Sequence, residues 1–209
     1  MEIACLDLEG VLVPEIWIEF AQITGIAELR ATTRDVADYD VLMKQRLRLL
    51  DAHGLGLTQI QAVIADLRPL EGAHDFLDWL NERFQVVILS DTFYEFSQPL
   101  MRQLGWPTLL CHRLVVDAAG KVSGYQLRQK DSKRQCVKAF RGLNFRVIAA
   151  GDSYNDTAML EEADAGILFR APDNVIAEFS QYTAVHSYED LKQEFMKASN
   201  RDLKSTKTV

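Results

Sequence analysis

The stretch Ile3-Ala4-Cys5-Leu6-Asp7-Leu8-Glu9-Gly10 decides how the rest of the chain is read. A short apolar run stops at an acid and, three residues on, a glycine. Runs of this length, bounded by polar residues or glycine, are the pattern of a strand buried on both faces of a parallel sheet. The pattern recurs at residues 86–89, 147–150 and 167–169. Helical spacing fills the intervals. Ala73, Phe76, Leu77, Leu80 and Phe84 follow i, i+3, i+4, i+7 before the second run, and Cys136, Val137 and Phe140 form a weaker stripe before the third. Strands alternating with helices predict an α/β fold, with a three-layer, Rossmann-like core around a parallel sheet.

One segment breaks the alternation. Between Pro14 and Leu70 there are helical stripes and no strand: Ile16, Trp17, Phe20 and Ile23, then Val41, Leu42, Leu47 and Leu50, then Ile60, Val63, Ile64 and Leu67. The simplest account is a small helical-bundle cap over residues 14–70, inserted after the first strand into a core made of 1–13 and 71–209. An insert of roughly 55 residues is large enough for that. Two short apolar pieces around Asp117-Ala118-Ala119-Gly120 read as a β-hairpin. The polar tail from Asn200 to Val209 is expected to fray.

Composition narrows the class of partner. The chain has 209 residues, 23 Lys and Arg against 30 Asp and Glu, and a net charge of -7. Hydrophobic content of 48% and charged content of 25% are those of a globular chain. An acidic balance speaks against nucleic acid, whose binding domains usually carry a basic excess. It leaves small anionic substrates open, because a metal or a few placed cations reverse the sign locally. Three cysteines, Cys5, Cys111 and Cys136, with no CxxC pair, suggest neither a disulfide framework nor a zinc site. Acids stand where a signal peptide would carry bases, and no apolar run reaches the roughly 18 residues that span a bilayer. The expectation is a cytoplasmic protein with no membrane partner; a homodimer is left open.

The chemistry is expected where strands end. Ligands of open parallel sheets bind outside the carboxyl ends of the strands. Asp7 and Glu9 follow the first, Ser90 and Asp91 the second, and Asp152, Asn155 and Asp156 the third, in Gly151-Asp152-Ser153-Tyr154-Asn155-Asp156. Any one polar strand end is an ordinary loop; three with this set of acids and a hydroxyl point to one crevice. Two unit charges 4 Å apart repel by about 4 kcal/mol at an effective dielectric of 20. Gathered carboxylates therefore raise one another's pKa unless a cation intervenes. Oxygen ligands with open positions suit Mg²⁺, and a carboxylate can itself be a nucleophile toward phosphorus. Lys133 supplies a positive group at an expected helix start, capped by Asp131 or Ser132. Alone, it reads as a solvated lysine beside Lys130 and Arg134.

Taken in order, Asp7-Leu8-Glu9-Gly10-Val11, Ser90, Lys133 and Gly151-Asp152-Ser153-Tyr154-Asn155-Asp156 resemble the four motifs of the haloacid dehalogenase-like phosphatase superfamily. A helical insert after the first motif resembles its phosphoserine phosphatase branch. The Asp-Leu-Glu-Gly form of the first motif is similar to members that also transfer the phosphoryl group to homoserine. The resemblance implies that Asp7 becomes an aspartyl phosphate and that Glu9 is the acid and base. It implies Mg²⁺ held by Asp7, the Glu9 carbonyl and Asp152, with Asp156 in support. It gives the phosphate to Ser90 and Lys133 with Asp91 and Asn155 beside them, the substrate ammonium to Glu15, and its carboxylate to Arg46, with Arg48 as the alternative. Two departures stand out. Glu9 replaces the usual aspartate, moving the carboxylate outward by about 1.5 Å, which would let an amino-acid hydroxyl compete with water. Glu15 stands one residue nearer the first motif than the branch's usual acid.

Two rival readings remain at this stage. One is another small-molecule phosphomonoesterase of the same superfamily. The other is a phospho-accepting signalling receiver, which also combines an Asp, a Ser or Thr and a Lys but has no need of a cap. Trp17, Trp79 and Trp106 read as packing residues, with Trp17 able to face the crevice. His53, His74, His112 and His186 have no metal-like spacing, and Cys5 reads as a buried strand residue.

Overall fold

β1 (Glu2–Leu6) occupies the middle of a seven-stranded sheet, because the chain leaves it in one direction and later returns to its other side. The computed structural model describes residues 1–200 other than 33, 34 and 37; of the tail expected to fray, 201–209 lie outside the described residues, while Asn200 N–H donates to Glu2 Oε1 at 2.7 Å. On one side of β1 come β2 (Gln85–Phe93), β3 (Leu109–Val116) and β4 (Val122–Gln126); on the other come β5 (Arg146–Gly151), β6 (Ala165–Phe169) and β7 (Thr183–Val185). Every pairing is parallel except β3 with β4.

Buried parallel strands present apolar side chains to both faces, and the residue parity decides which face each one meets. Ala4 and Leu6 of β1 join Ile88, Ile148, Ala150, Ile167 and Phe169 in one apolar layer. It packs against α4 (Ala73–Asn81), α5 (Tyr94–Gln103) and α9 (Tyr188–Ala198). Ile3 and Cys5 join Val87, Leu89, Val147, Ala149 and Leu168 in the other, against α6 (Ser132–Gly142), α7 (Thr157–Glu162) and α8 (Asp173–Glu178). The three-layer α/β architecture is the one expected.

Residues after the first strand form α1 (Ile16–Thr24), a 3₁₀ turn (Ala27–Arg30), α2 (Tyr39–Ala52) and α3 (Leu57–Ala65). Their apolar faces do not close on themselves alone. Ile16, Trp17, Phe20, Ile60 and Ile64 run into the same layer as Phe96 and Leu100 of α5, and Trp17 stacks on Phe96 with ring centroids 4.6 Å apart. The hairpin also reaches them: Leu57 N–H donates to the Gly120 carbonyl at 2.8 Å, and Lys121 pairs with Asp51 at 2.6 Å.

The hairpin forms as expected from β3 and β4, and the addition is that β3 is also hydrogen-bonded to β2 within the main sheet. Several local expectations need correction. Ile23 and Val41, placed on apolar stripes, are 48% and 52% exposed, and Ala21 and Met43 take the buried positions. Trp106 is 58% exposed rather than packed, in a left-handed turn (φ 60°) after Gly105 that ends α5. Asp131 stands at the N-terminal boundary of α6, but neither it nor Ser132 caps the helix through its side chain: Asp131 is left-handed, and Ser132 Oγ instead donates to Asp91 Oδ1 at 3.5 Å.

Candidate active site

The reversal of chain direction at β1 opens a crevice above the carboxyl ends of β1, β2 and β5, the place where parallel sheets hold ligands. Asp7 leaves β1 with its backbone N–H still donating to the Ala150 carbonyl of β5 (3.0 Å). Its carboxylate turns back, and Oδ1 accepts from Leu8 N–H at 2.8 Å. Asp156 stands in a 3₁₀ turn (Tyr154–Asp156) after β5, completely buried. Its Oδ2 accepts from the backbone N–H groups of Asp152 (2.9 Å) and Ser153 (3.1 Å), which folds the turn around it.

Two glycines make this packing feasible. A Cβ on Gly10 would lie 2.3 Å from Asp152 Oδ2, and the backbone there has φ +72°. A Cβ on Gly151 would lie 2.4 Å from Asp156 Cγ. The glycines of the first and fourth motifs are thus space for carboxylates.

Lys133 comes from the first turn of α6 and is 5% exposed. Its Nζ lies 2.8 Å from Asp7 Oδ1, 2.7 Å from Asp156 Oδ1 and 3.8 Å from Asp91 Oδ2. The solvated lysine suggested by its neighbours is instead the buried cation of the site. Burial opposes its charge, but the carboxylates around it hold its pKa well above the ordinary lysine value.

One ammonium does not balance the acids. Asp7, Asp152 and Asp156 each offer an oxygen, all within 4.8 Å of one another. Desolvation raises the Asp7 pKa well above the usual range, and Asp156 and Asp152 raise it further while Lys133 opposes them. Desolvation, then the charges of Asp156 and Glu15, push Asp152 up to about 7. Clustered hard oxygens carrying charge that the protein does not neutralise fit a divalent cation. The Glu9 side chain is not among them. It turns toward the helical segment, where loss of solvent, followed by the charge of Glu15 and a hydrogen bond with Glu15, raises its pKa well above the usual carboxylate range.

The opposite wall comes from that segment. Glu15, Trp17, Tyr39 and Arg46 line the same cavity as Asp7, Glu9, Ser90, Asp91, Lys133, Asp152 and Asn155. Arg46 is buried, its guanidinium stacked over Trp17 (4.3 Å), with Nη2 donating to the Ala31 carbonyl at 2.7 Å. Arg48, the alternative, is exposed and does not line the cavity. Trp17 therefore both packs and faces the crevice. The structure brings Lys133 into direct contact with Asp7 and Asp156, holds the Asp152 carboxylate within 4.8 Å of those of Asp7 and Asp156, and sets Ser90, Asp91, Asn155, Glu9, Glu15 and Arg46 around them.

Three contributors were not legible as site residues. Tyr39, at the start of α2, donates its hydroxyl to the Asp91 carbonyl at 3.3 Å. His112 is 4% exposed, with Nε2 3.5 Å from Asp91 Oδ1, while Nδ1 accepts from Arg128 N–H at 3.1 Å, which fixes the proton on Nε2 when the ring is neutral. Thr92, 6% exposed, lines the cavity two residues beyond Ser90. For His112 the available signal was its place within an apolar strand pattern, which speaks of burial with a partner rather than of metal.

Comparison with known proteins places this geometry. The family model for haloacid dehalogenase-like hydrolases matches residues 1–164. A phosphoserine phosphatase of Pseudomonas syringae pv. tomato is 75% identical over 203 residues, covering 97% of this chain and 86% of that protein. Phosphoserine phosphatase ThrH of Pseudomonas aeruginosa is also 75% identical over 203 residues, covering 97% and 99%. Among solved structures, an apo-form phosphoserine phosphatase superposes with a TM-score of 0.73 at 20% identity, over 91% of this chain and 98% of that one, a likeness of fold. The phosphoserine phosphatase of T. onnurineus gives 0.64 at 27% identity, over 94% of each chain.

Proposed function

The chain belongs to the haloacid dehalogenase-like hydrolases, and from that premise we propose that it is a Mg²⁺-dependent phosphoserine phosphatase that can also pass the phosphoryl group to homoserine. The observation that carries this reading is one cavity with two chemically different walls. Asp7, Ser90 and Lys133 form a floor suited to a phosphate, and Glu15 and Arg46 face it with the charges that complement an ammonium and a carboxylate. The relatives named phosphoserine phosphatase, at 75% identity, supply the substrate.

The residues divide the work as follows. Asp7 Oδ1 is engaged by Leu8 N–H and Lys133, which orients the carboxylate and leaves Oδ2 for attack on phosphorus. The P–Oγ ester bond breaks as Asp7 forms an acyl phosphate, and Glu9 gives its proton to the departing serine oxygen. Burial, and next the charge of Glu15, raise the Glu9 pKa and so favour the protonated form that this step needs. Ionised Glu9 then takes a proton from water, or from the homoserine hydroxyl, as that oxygen attacks the acyl phosphate and frees Asp7. Lys133 and Ser90 stabilise charge on the equatorial oxygens. A Mg²⁺ held by Asp7, the Glu9 carbonyl and Asp152, with Asp156 supporting through its hold on Lys133 and the 152–153 turn, would add to that stabilisation. Residues 14–70 act as the cap that selects the substrate and excludes bulk water. The reading includes a cytoplasmic location, supported by three cysteines that are all free and buried.

Product analysis tests it. Phosphoserine with Mg²⁺ should give serine and inorganic phosphate, and added homoserine should divert part of the phosphate into O-phosphohomoserine. Glu9→Asp should lower the transfer-to-hydrolysis ratio severalfold; an unchanged ratio would remove the reach of Glu9 as the reason for transfer. Turnover of other phosphomonoesters with phosphoserine untouched would favour a different phosphatase, and stable phosphorylation without turnover a receiver.

A further inference from the structure

Among the described residues, two buried side-chain polar atoms have no hydrogen-bond partner, Arg46 Nε and Thr92 Oγ1. Both residues line the cavity that contains Asp7 and Lys133, and each is 6% exposed. A buried polar group without a partner retains the full desolvation cost of that group, and native proteins leave few of them. Finding both in one cavity makes a bound ligand the candidate for their partner.

The two atoms come from opposite walls. Arg46 belongs to α2, where its hydrogen bonds and stacking go to the Ala31 carbonyl, the Met43 sulfur and the Trp17 ring, while the Glu9 and Glu15 carboxylates act on its charge and leave Nε without a hydrogen bond. Thr92 belongs to β2, and its backbone N–H donates to Ser90 Oγ at 3.2 Å, which ties it to the phosphate end of the cavity. Thr92 N–H is thus engaged while its hydroxyl is not. A threonine hydroxyl has one proton to donate, a guanidinium Nε has one, and a carboxylate accepts both.

We propose that Thr92 is a specificity-determining residue whose hydroxyl donates to the α-carboxylate of the substrate, across the cavity from Arg46. This deepens the phosphoserine phosphatase reading and rests on it. Ser90 and Lys133 already serve the phosphate, so the Thr92 hydroxyl distinguishes an amino-acid phosphoester from an amine phosphoester.

The test compares the KM for phosphoserine with the competitive inhibition constant of O-phosphoethanolamine, which keeps the phosphoester and ammonium and lacks the carboxylate. In Thr92→Val the phosphoserine KM should rise about tenfold, equivalent to about 1.4 kcal/mol, while the phosphoethanolamine constant moves less than about twofold. Thr92→Ser, which keeps the hydroxyl, should restore the phosphoserine KM. If Thr92→Val fails to fold, Thr92→Ala against Thr92→Ser carries the same comparison. Equal weakening of both ligands would give the hydroxyl to the phosphate and overturn the proposal, as would an unchanged KM. Wild-type protein that leaves phosphoserine intact would overturn the phosphatase reading and this proposal together. Wild-type turnover with an unresponsive Thr92 would overturn the proposal alone.

Discussion

At Asp7 the protein accepts an unfavourable charge arrangement. The side chain is 5% exposed, with Asp152 and Asp156 close by, and only Lys133 pulling its pKa down. A structural aspartate would gain nothing from such a position, whereas a nucleophile gains a fixed orientation and a polarising partner. Asp7→Asn should therefore keep the fold and lower kcat by at least about 10³-fold; acid quenching of the variant with labelled phosphoserine should trap no phosphoenzyme. Retained trapping would move the nucleophile elsewhere. Glu9 gives a second residue-level prediction, in which the sign matters. Its pKa is raised first by loss of solvent and next by the charge of Glu15. A general acid is active below its pKa, so kcat/KM should fall on the alkaline side as Glu9 loses its proton. Glu15→Gln removes a negative neighbour and lowers that pKa. The alkaline limb of the kcat/KM profile should move to lower pH, on top of a weaker overall kcat/KM from the lost ammonium contact. A limb that stays in place would separate Glu9 from the acid role.

Among the elements, the turn after β1 and the turn after β5 are interlocked, and glycine is the reason they fit. Gly10 has φ +72°, and a Cβ there would press on Asp152 Oδ2 at 2.3 Å. Gly25, after α1, has the same φ of +72° but nothing within 4 Å of a Cβ. The pair separates backbone cost from collision. Each change to Ala should cost about 1–2 kcal/mol for the left-handed conformation. Gly10→Ala alone should also displace Asp152 and raise the Mg²⁺ concentration for half-maximal activity by at least about tenfold. Equal Mg²⁺ requirements in both variants would show that Asp152 is free to move without consequence. Much of this level was legible in the sequence. The apolar runs at 3–6, 86–89, 147–150 and 167–169 fall within β1, β2, β5 and β6, because a strand buried on both faces must be apolar throughout. β7 escaped, since Thr183–Val185 is too short for a periodic signal. Thr92 and His112 also escaped, because a threonine or histidine within a strand pattern reads as an ordinary β residue until its surroundings are known. Contact between Glu9 and Glu15 was hidden for a different reason: it depends on how the residue 7–13 turn folds back, where the Gly10 N–H donates to the Val13 carbonyl at 2.8 Å.

For the whole molecule, the net charge of -7 and the metal question are one problem. An acid whose pKa is raised by folding makes the folded state lose stability as pH climbs from the ordinary carboxylate value, about 3.9, through the folded value. The reason is that the unfolded state has already released the proton, while the folded state must still ionise a desolvated group. Asp152 does this with a folded value of about 7, and Asp7 acts in the same direction. A cation that binds only the ionised cluster recovers that loss, and it must compete with the proton to do so. At pH 8 Asp152 is mostly ionised without help. At pH 5, about two units below its pKa, only about 1% is, so apparent affinity through this group falls about 100-fold. A ligand at 100 times its Kd stabilises by about 2.7 kcal/mol, and one at its Kd by about 0.4 kcal/mol. For a chain of this size about 1 kcal/mol moves Tm by about 2–4 °C. Saturating Mg²⁺ at pH 8 should therefore raise the Tm of the substrate-free protein by roughly 5–10 °C, and the same concentration at pH 5 by only about 1–2 °C. Asp152→Asn should abolish most of the pH 8 shift, because the residue that links proton and metal is gone. Equal shifts at both pH values in the wild-type protein would mean that the cation binds away from Asp7, Asp152 and Asp156, and that the acidic cluster is balanced by Lys133 alone.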